Sequence, residues 1–248
     1  MTRLLVFTRS LKSPSAFALC LLSSLAFAEV GKVATLEGEA TRTPKDGKPE
    51  TLKAGSAVEL GDTLSVKSGN LKFELNDGSV IMLAPASVLE ITEAEFQGQE
   101  RTGFSGLLKA GSLWTKVKKA IGGGKFEVST ERAVAGVRGT IFRIDADALV
   151  KGSKGKGRKA SIVRVVEGAV GVKPTAAIAK SIKSAAPKKG PRVEVPGPKE
   201  VTADEWEKIF VELAANQQVV VGVDLWEQAE IDAAAKNDAF SKWIEKNQ

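Results

Sequence analysis

Four aspartates, Asp62, Asp77, Asp145 and Asp147, are the acids of this sequence whose neighbours best suit them to chemistry. A hydrolytic pair needs two carboxylates across a cleft, roughly 5–10 Å apart, and a calcium site needs a loop dense in Asp and Asn. Neither pattern surrounds them. Asp62 and Asp77 stand in Gly61-Asp62 and Asp77-Gly78 turns, where an aspartate accepts hydrogen bonds from nearby amides. Asp145 and Asp147 close an alternating stretch with no further ligands beside them. The chain has no histidine and no tyrosine, and its one cysteine is Cys20. That removes Ser-His-Asp and Cys-His nucleophiles, Cys/His zinc sites and the usual neutral-pH proton shuttle. No catalytic residue, metal site or cofactor is expected, and the chain reads as a protein that is not an enzyme.

The cations are more suggestive. Arg138 stands between Gly136 and Gly139, where a planar fork can meet a carboxylate or phosphate, or tie adjacent turns through main-chain carbonyls. The second use is favoured. Lys151, Lys154, Lys156, Arg158 and Lys159 share nine residues with three glycines and no acid. Such a loop suits lipid headgroups, lipopolysaccharide phosphate or cell-wall carboxylates, and equally a solvated hairpin tip, the reading preferred here. Gly122-Gly-Gly124 lacks the Gly-Lys-Ser/Thr ending of a phosphate loop and reads as a turn. Three tryptophans, Trp206, Trp226 and Trp243, lie in the tail, as a partner-binding face or, more commonly for such stripes, as local core.

These residues need elements to carry them. Residues 1–28 read as a signal peptide: Arg3, Arg9 and Lys12 lead an apolar run, and Ala26-Phe27-Ala28 suits cleavage after Ala28. Leu19 before Cys20 disfavours lipidation. The expected product is periplasmic or secreted, without a transmembrane helix or a disulfide. Removing the leader leaves 33 Lys and Arg against 30 Asp and Glu, too even a balance to indicate nucleic acid. From residue 29 to 173, short apolar runs alternate with glycine turns, which predicts an all-β domain. Leu71, Phe73 and Leu75 alternate with polar residues, Asn76 to Ser79 turn, and Val80-Ile-Met-Leu83 predicts a strand buried on both faces. Phe126, Val128 and Thr130, then Thr140, Phe142 and Ile144, mark one face of two strands around the Gly136–Gly139 corner. Leu52-Lys-Ala-Gly-Ser56 recurs as Leu108-Lys-Ala-Gly-Ser112. A rolled sheet, a short β-solenoid or a jelly-roll β-sandwich would each fit.

Residues 174–200 predict a basic, proline-bearing linker, extended or disordered, with Lys180, Lys183, Lys188, Lys189 and Arg192. Residues 201–248 predict a helical module. Thr202 to Glu205 forms a capping box before Trp206, Ile209, Phe210, Leu213 and Ala214. Gln218 to Val221 reads as a short strand. A second helical pattern from Asp224 aligns Trp226, Ala229, Ala233, Phe240, Trp243 and Ile244, with a break at Asn237-Asp238.

The stretch from Phe126 to Ile144, with Glu131-Arg-Ala-Val-Ala-Gly-Val-Arg-Gly-Thr140 inside it, resembles the core motif of the FecR domain, a bacterial envelope module. Gly31 to Gly38, Leu60 to Leu64 with Leu75 to Val80, and Val163 to Val172 fit the same family in order, so the resemblance spans residues 30–173. It makes Gly61, Asp62, Asp77, Gly78, Gly136, Arg138, Gly139, Thr140 and Gly168 the structural motif and implies a β-solenoid-like rolled sheet. It also implies a role in regulating sigma factor activity from the periplasmic side. Direct anti-sigma action needs a cytoplasmic domain and a spanning helix, and neither is legible here. The first expectation is therefore an exported binding or scaffold protein that recognises an envelope protein or an anionic wall or lipid polymer. A periplasmic component of a FecR-type pathway is the alternative.

Overall fold

The computed structural model describes residues 29–119, 124–137, 139–151, 157–184, 211–223 and 225–248. Among these residues sixteen strands join into one sheet. The first eight are β1 (Glu29–Thr43), β2 (Glu50–Thr51), β3 (Ala57–Glu59), β4 (Thr63–Leu75), β5 (Val80–Leu83), β6 (Val88–Gln97), β7 (Glu100–Ala110) and β8 (Ser112–Lys116). They are followed by β9 (Lys125–Ser129), β10 (Ala133–Val137), β11 (Ile141–Lys151), β12 (Gly157–Glu167) and β13 (Ala169–Pro174), then β14 (Val211–Ala214), β15 (Gln217–Gly222) and β16 (Leu225–Glu230). Three helices are described: α1 (Ala176–Ser184), α2 (Ala233–Lys236) and α3 (Ala239–Asn247).

The sheet is curled into a half-barrel because three successive stretches bend at the same corner. β10 passes into β11 at Gly139, β12 into β13 at Gly168 and β14 into β15 at Asn216, all with left-handed φ, of 68°, 85° and 65°. The corners stack. The Thr140 hydroxyl donates to the Ala169 carbonyl at 3.0 Å, and the Asn216 amide donates to the Val165 carbonyl at 2.8 Å. One half of each bent stretch joins the β13-β10-β9-β7 side and the other joins β8-β11-β12-β15. Side chains from both sides meet between them.

That interior is what the alternating patterns dictate. Leu71, Phe73 and Leu75 of β4, Phe104 of β7, Phe126 and Val128 of β9, and Phe142 and Ile144 of β11 are all buried in one cluster. Phe104 stacks on Phe126 at 4.8 Å between ring centres, and Phe142 meets Phe126 edge-on at 6.4 Å, geometries that aromatic quadrupoles favour. β5 is buried on both faces, as its continuous apolar run predicts. Ile81 and Leu83 face the interior, while Met82 faces a second cluster with Ala84, Trp114, Phe240, Trp243 and Ile244. Helix α3 therefore lies on the outer face of the sheet.

Several expectations are corrected. Every described strand pairing is antiparallel except β7 with β9, so the strands do not stack as the parallel coils of a solenoid. The tail is not a separate helical module. Residues 211–214 and 225–230, read as helical from the spacing of Leu213, Ala214, Trp226 and Ala229, are strands β14 and β16. Edges of β13 and β15 offer rows of unpaired amides and carbonyls to β14 and β16, and pairing with them overrides a weak helical preference. Gln218 to Val221 lies in a strand, and Asn237-Asp238 breaks the helical stretch into α2 and α3. The start of the linker is helix α1 from Ala176 to Ser184 rather than extended chain, with Ile178 and Ala179 buried. Lys188, Lys189, Arg192, the capping box at Thr202, Trp206, Ile209 and Phe210 lie outside the described residues, as does the signal-peptide stretch.

Candidate functional site

At the motif corner, Gly139 carries the left-handed backbone and Gly136 does not. Gly136 lies in extended β10, where an added Cβ would meet nothing within 4 Å. Of the two glycines of the expected corner, Gly139 is therefore the one that makes the turn. Arg138 lies outside the described residues.

Asp62 and Asp77 each organise a turn. The Asp62 carboxylate accepts the Glu59 amide at 2.8 Å and faces Arg42 Nη1 at 3.5 Å. Burial pushes its carboxyl above the usual aspartate value, against the opposing pull of the Glu59 amide and the Arg42 charge. Asp77 accepts the Ser79 amide and the Ser79 hydroxyl, each at 2.8 Å, and is paired with Arg101. Arg101 also donates to Ser79 Oγ at 2.9 Å and to the Lys118 carbonyl at 3.2 Å, and lies 5.0 Å over the Phe126 ring. This cation is only 2% exposed. Its residue type and spacing give no hint of that. A register shift between Glu95 and Phe96 sets Phe96 opposite Arg101, skips Thr102 and turns the guanidinium inward.

A third junction joins the motif strand to the tail. Asp145 lies between two arginines: it accepts Arg143 Nε at 2.9 Å and pairs with Arg164. Arg143 reaches on to Asp238 at 2.6 Å and Ser241 at 3.2 Å, with the Phe240 ring 5.3 Å from its guanidinium. Arg164 donates to Gln218 at 3.0 Å. Burial alone would lower the Arg143 pKa, but Asp145 and Asp238 hold it above the ordinary value. Asp147 faces Arg132 at 3.4 Å and Lys159 at 3.8 Å. Beside the junction lies a cleft of about 280 Å3, walled by Trp114, Arg143, Arg164, Val166, Lys236 and Ile244 among others.

Of the tail tryptophans, Trp243 is buried under α3 and Trp226 packs partly buried against the main cluster. Lys151, Arg158 and Lys159 fall on the paired stems of the β11–β12 hairpin, while Lys154 and Lys156 lie outside the described residues. The carboxylates at Asp62, Asp77 and Asp145 are thus each engaged by arginine, the first two within turns and the third on a strand, and the three do not share a cleft; Asp62 lines a separate one with Asp46 and Glu59. Among the described residues no group of three or more His, Cys, Asp or Glu gathers to hold a metal ion. Among them also, no helix is long and apolar enough to cross a membrane.

Arg101, Arg143 and Arg164 and the corners at Gly139 and Gly168 fall inside one continuous stretch. Residues 62–173 match the FecR protein family. The matched stretch runs from the turn before β4 to the end of β13, and β1 to β3 and the described elements from α1 onward lie outside it. No curated protein matches the sequence. Two crystal structures of a candidate anti-sigma factor from Parabacteroides distasonis ATCC 8503 are similar to the chain at 17% identity, each with a TM-score of 0.46 over 73% of this chain. The chain spans 64% and 63% of the lengths of those two structures.

Proposed function

We propose that this chain is a non-enzymatic, protein-binding component of a FecR-type signalling relay, exported by its leader, cleaved after Ala28 and acting on the periplasmic side. It would regulate sigma factor activity by engaging another envelope protein. The observation that carries the reading is the FecR match over residues 62–173. The site geometry agrees with it. Buried charges tie turns and tail to the sheet, and the reading places recognition on the surface that they hold in shape. The acids singled out in the sequence, Asp62, Asp77 and Asp145, are each paired with an arginine, and fold alone does not supply a catalytic pair.

The experiment is deletion of the gene in its native cell, with transcript profiling and complementation. The expected outcome is a coordinated change in the genes read by one alternative sigma factor, restored by the intact chain and not by a chain without its leader. Unchanged transcription of every sigma-dependent set, under envelope stress as well as rest, would overturn the proposal.

A further inference from the structure

The sheet ends on β14 at one side and on β16 at the other, and β16 is the longer, six residues against four. Its inner edge is taken by β15, and among the described residues nothing pairs with its outer edge. One bond fixes which way each backbone group of this strand faces. The Ile231 amide donates to the Asn216 carbonyl at 2.9 Å, so it points back toward the β14–β15 corner. The ladder from Gln217 and Glu230 to Gly222 and Leu225 runs without a register shift, and successive residues of an antiparallel strand turn their N–H and C=O to opposite sides. Trp226, Gln228 and Glu230 therefore direct amide and carbonyl outward, a donor and an acceptor at every second residue. Glu227, Gln228, Ala229 and Glu230 are all exposed, so nothing lies over the row.

The charged side chains on this edge are both acids. Glu227 and Glu230 make no ion pair or hydrogen bond among the described residues. Trp226 is only partly buried where it packs against the main cluster, which leaves apolar surface open beside it. A row of outward main-chain groups is complementary to another extended backbone, and opposed side chains on the two strands share a face. A second copy of this chain joining through the same edge would set its own Glu227 and Glu230 against these two, four like charges on one seam. A cation-bearing strand answers them instead. We infer that the outer edge of β16 receives an extended segment of a protein partner, added antiparallel, with an apolar side chain beside Trp226 and Lys or Arg opposite Glu227 and Glu230. Along the partner the order is a cation, two further residues, a cation and an apolar residue. The inference deepens the signalling reading and rests on it for the partner's role, but β16 lies outside the matched stretch, so the family match does not supply it.

The probe is a short labelled peptide of threonine and valine with arginine, two uncharged residues, arginine and tryptophan at its centre, beside a twin carrying glutamate for both arginines. Fluorescence anisotropy with the purified protein should show the arginine peptide binding and the twin binding at least fivefold more weakly, since one cross-strand charge pair is worth up to about fivefold. Amide exchange should slow across Leu225–Glu230 when the arginine peptide is bound. Gln228→Pro removes the central outward donor at an edge position that tolerates proline, and should cut binding at least tenfold. Glu227→Lys with Glu230→Lys, at two exposed positions, should reverse the preference between the peptides, and decides the matter should the proline variant unfold. Unchanged binding by a Gln228→Pro chain with a native circular dichroism spectrum, exchange slowed elsewhere than β16, an unreversed preference, or no binding at millimolar peptide would each overturn the inference. Complementation separates it from the signalling reading. A deletion strain restored as fully by Gln228→Pro as by the intact chain leaves the relay standing and removes this edge from it, whereas unchanged transcription with the expected peptide binding overturns the relay alone.

Discussion

Arg143 and Asp238 lie 2.6 Å apart although 95 residues separate them in sequence, and this contact fastens the tail to β11, a strand inside the stretch that matches the FecR family. Asp238 is also the N-cap of α3, accepting the Ser241 amide at 2.7 Å. Burial by itself would raise its carboxyl, but the Ser241 amide and Arg143 outweigh that and hold it below its ordinary value of 3.8. The sign follows: a depressed carboxyl stabilises the fold above its unfolded pKa and loses that contribution as pH falls through the folded one. Asp238→Ala should cost about 1 kcal/mol at pH 7, the usual worth of such a cap, discounted for a side chain that is one-third exposed. Urea midpoints should show the gap between wild type and variant narrowing as the pH falls below 3.8. A gap independent of pH would contradict the assignment.

Trp243 should behave differently from an ordinary core tryptophan. It packs with Met82, Ala84, Trp114 and Phe240, yet its indole N–H has no hydrogen-bond partner among the described residues. Trp243→Ala leaves a cavity and should cost roughly 3 kcal/mol, releasing α3 to proteolysis near Ile231 while the β signature in far-ultraviolet circular dichroism persists. Trp243→Phe keeps much of the packing and removes an unpaired donor, whose burial itself costs about 1–3 kcal/mol. Its urea midpoint should therefore fall much less than that of the alanine variant. Equal losses would mean that the indole nitrogen has a partner in solution.

The buried pair of Arg101 and Asp77 sets the scale for charge inside the half-barrel. Arg101→Met removes the cation and leaves Asp77, which is 8% exposed, with the Ser79 amide and hydroxyl as its remaining donors. Breaking one side of a buried pair costs about 3–5 kcal/mol, so the variant should be barely folded at neutral pH. Replacing both, as Arg101→Met with Asp77→Asn, should recover part of the loss, because no uncompensated charge remains. Thermal denaturation of the two variants distinguishes these outcomes. A double variant no more stable than the single would show that the guanidinium acts through its packing on Phe126.

Much of the fold follows from local pattern. Leu71-Phe73-Leu75, Phe126-Val128 and Phe142-Ile144 announce their buried face by alternation, and the unbroken run from Val80 to Leu83 announces a strand covered on both sides. The tail was less legible because its strands exist by completing edges. Val211–Ala214 and Leu225–Glu230 carry no strong alternation, and their conformation is set by β13 and β15 rather than by their own residues. Arg101 was invisible for a similar reason. A bulge across the sheet, not the sequence around it, decides which way that side chain points.

The repeated pentapeptide gives the sharpest separation of local sequence from tertiary surroundings. Leu52-Lys-Ala-Gly-Ser56 and Leu108-Lys-Ala-Gly-Ser112 place Gly55 and Gly111 at left-handed φ of 85° and 80°. A Cβ on Gly55 meets nothing within 4 Å, whereas on Gly111 it would lie 2.3 Å from Ser87 Oγ and 2.5 Å from Ser87 Cα. That serine is not free to move, since its hydroxyl accepts the Ser112 amide at 2.9 Å and donates to the Ser112 carbonyl at 3.0 Å. Gly55→Ala should therefore cost only the left-handed penalty of about 1–2 kcal/mol. Gly111→Ala adds a backbone collision and the break of both serine bonds, each about 1 kcal/mol, and should lose at least twice as much. Guanidinium denaturation of the two variants checks this. Equal losses would mean that the contact between the β8 turn and Ser87 is looser than its geometry, and that the two repeats are equivalent after all.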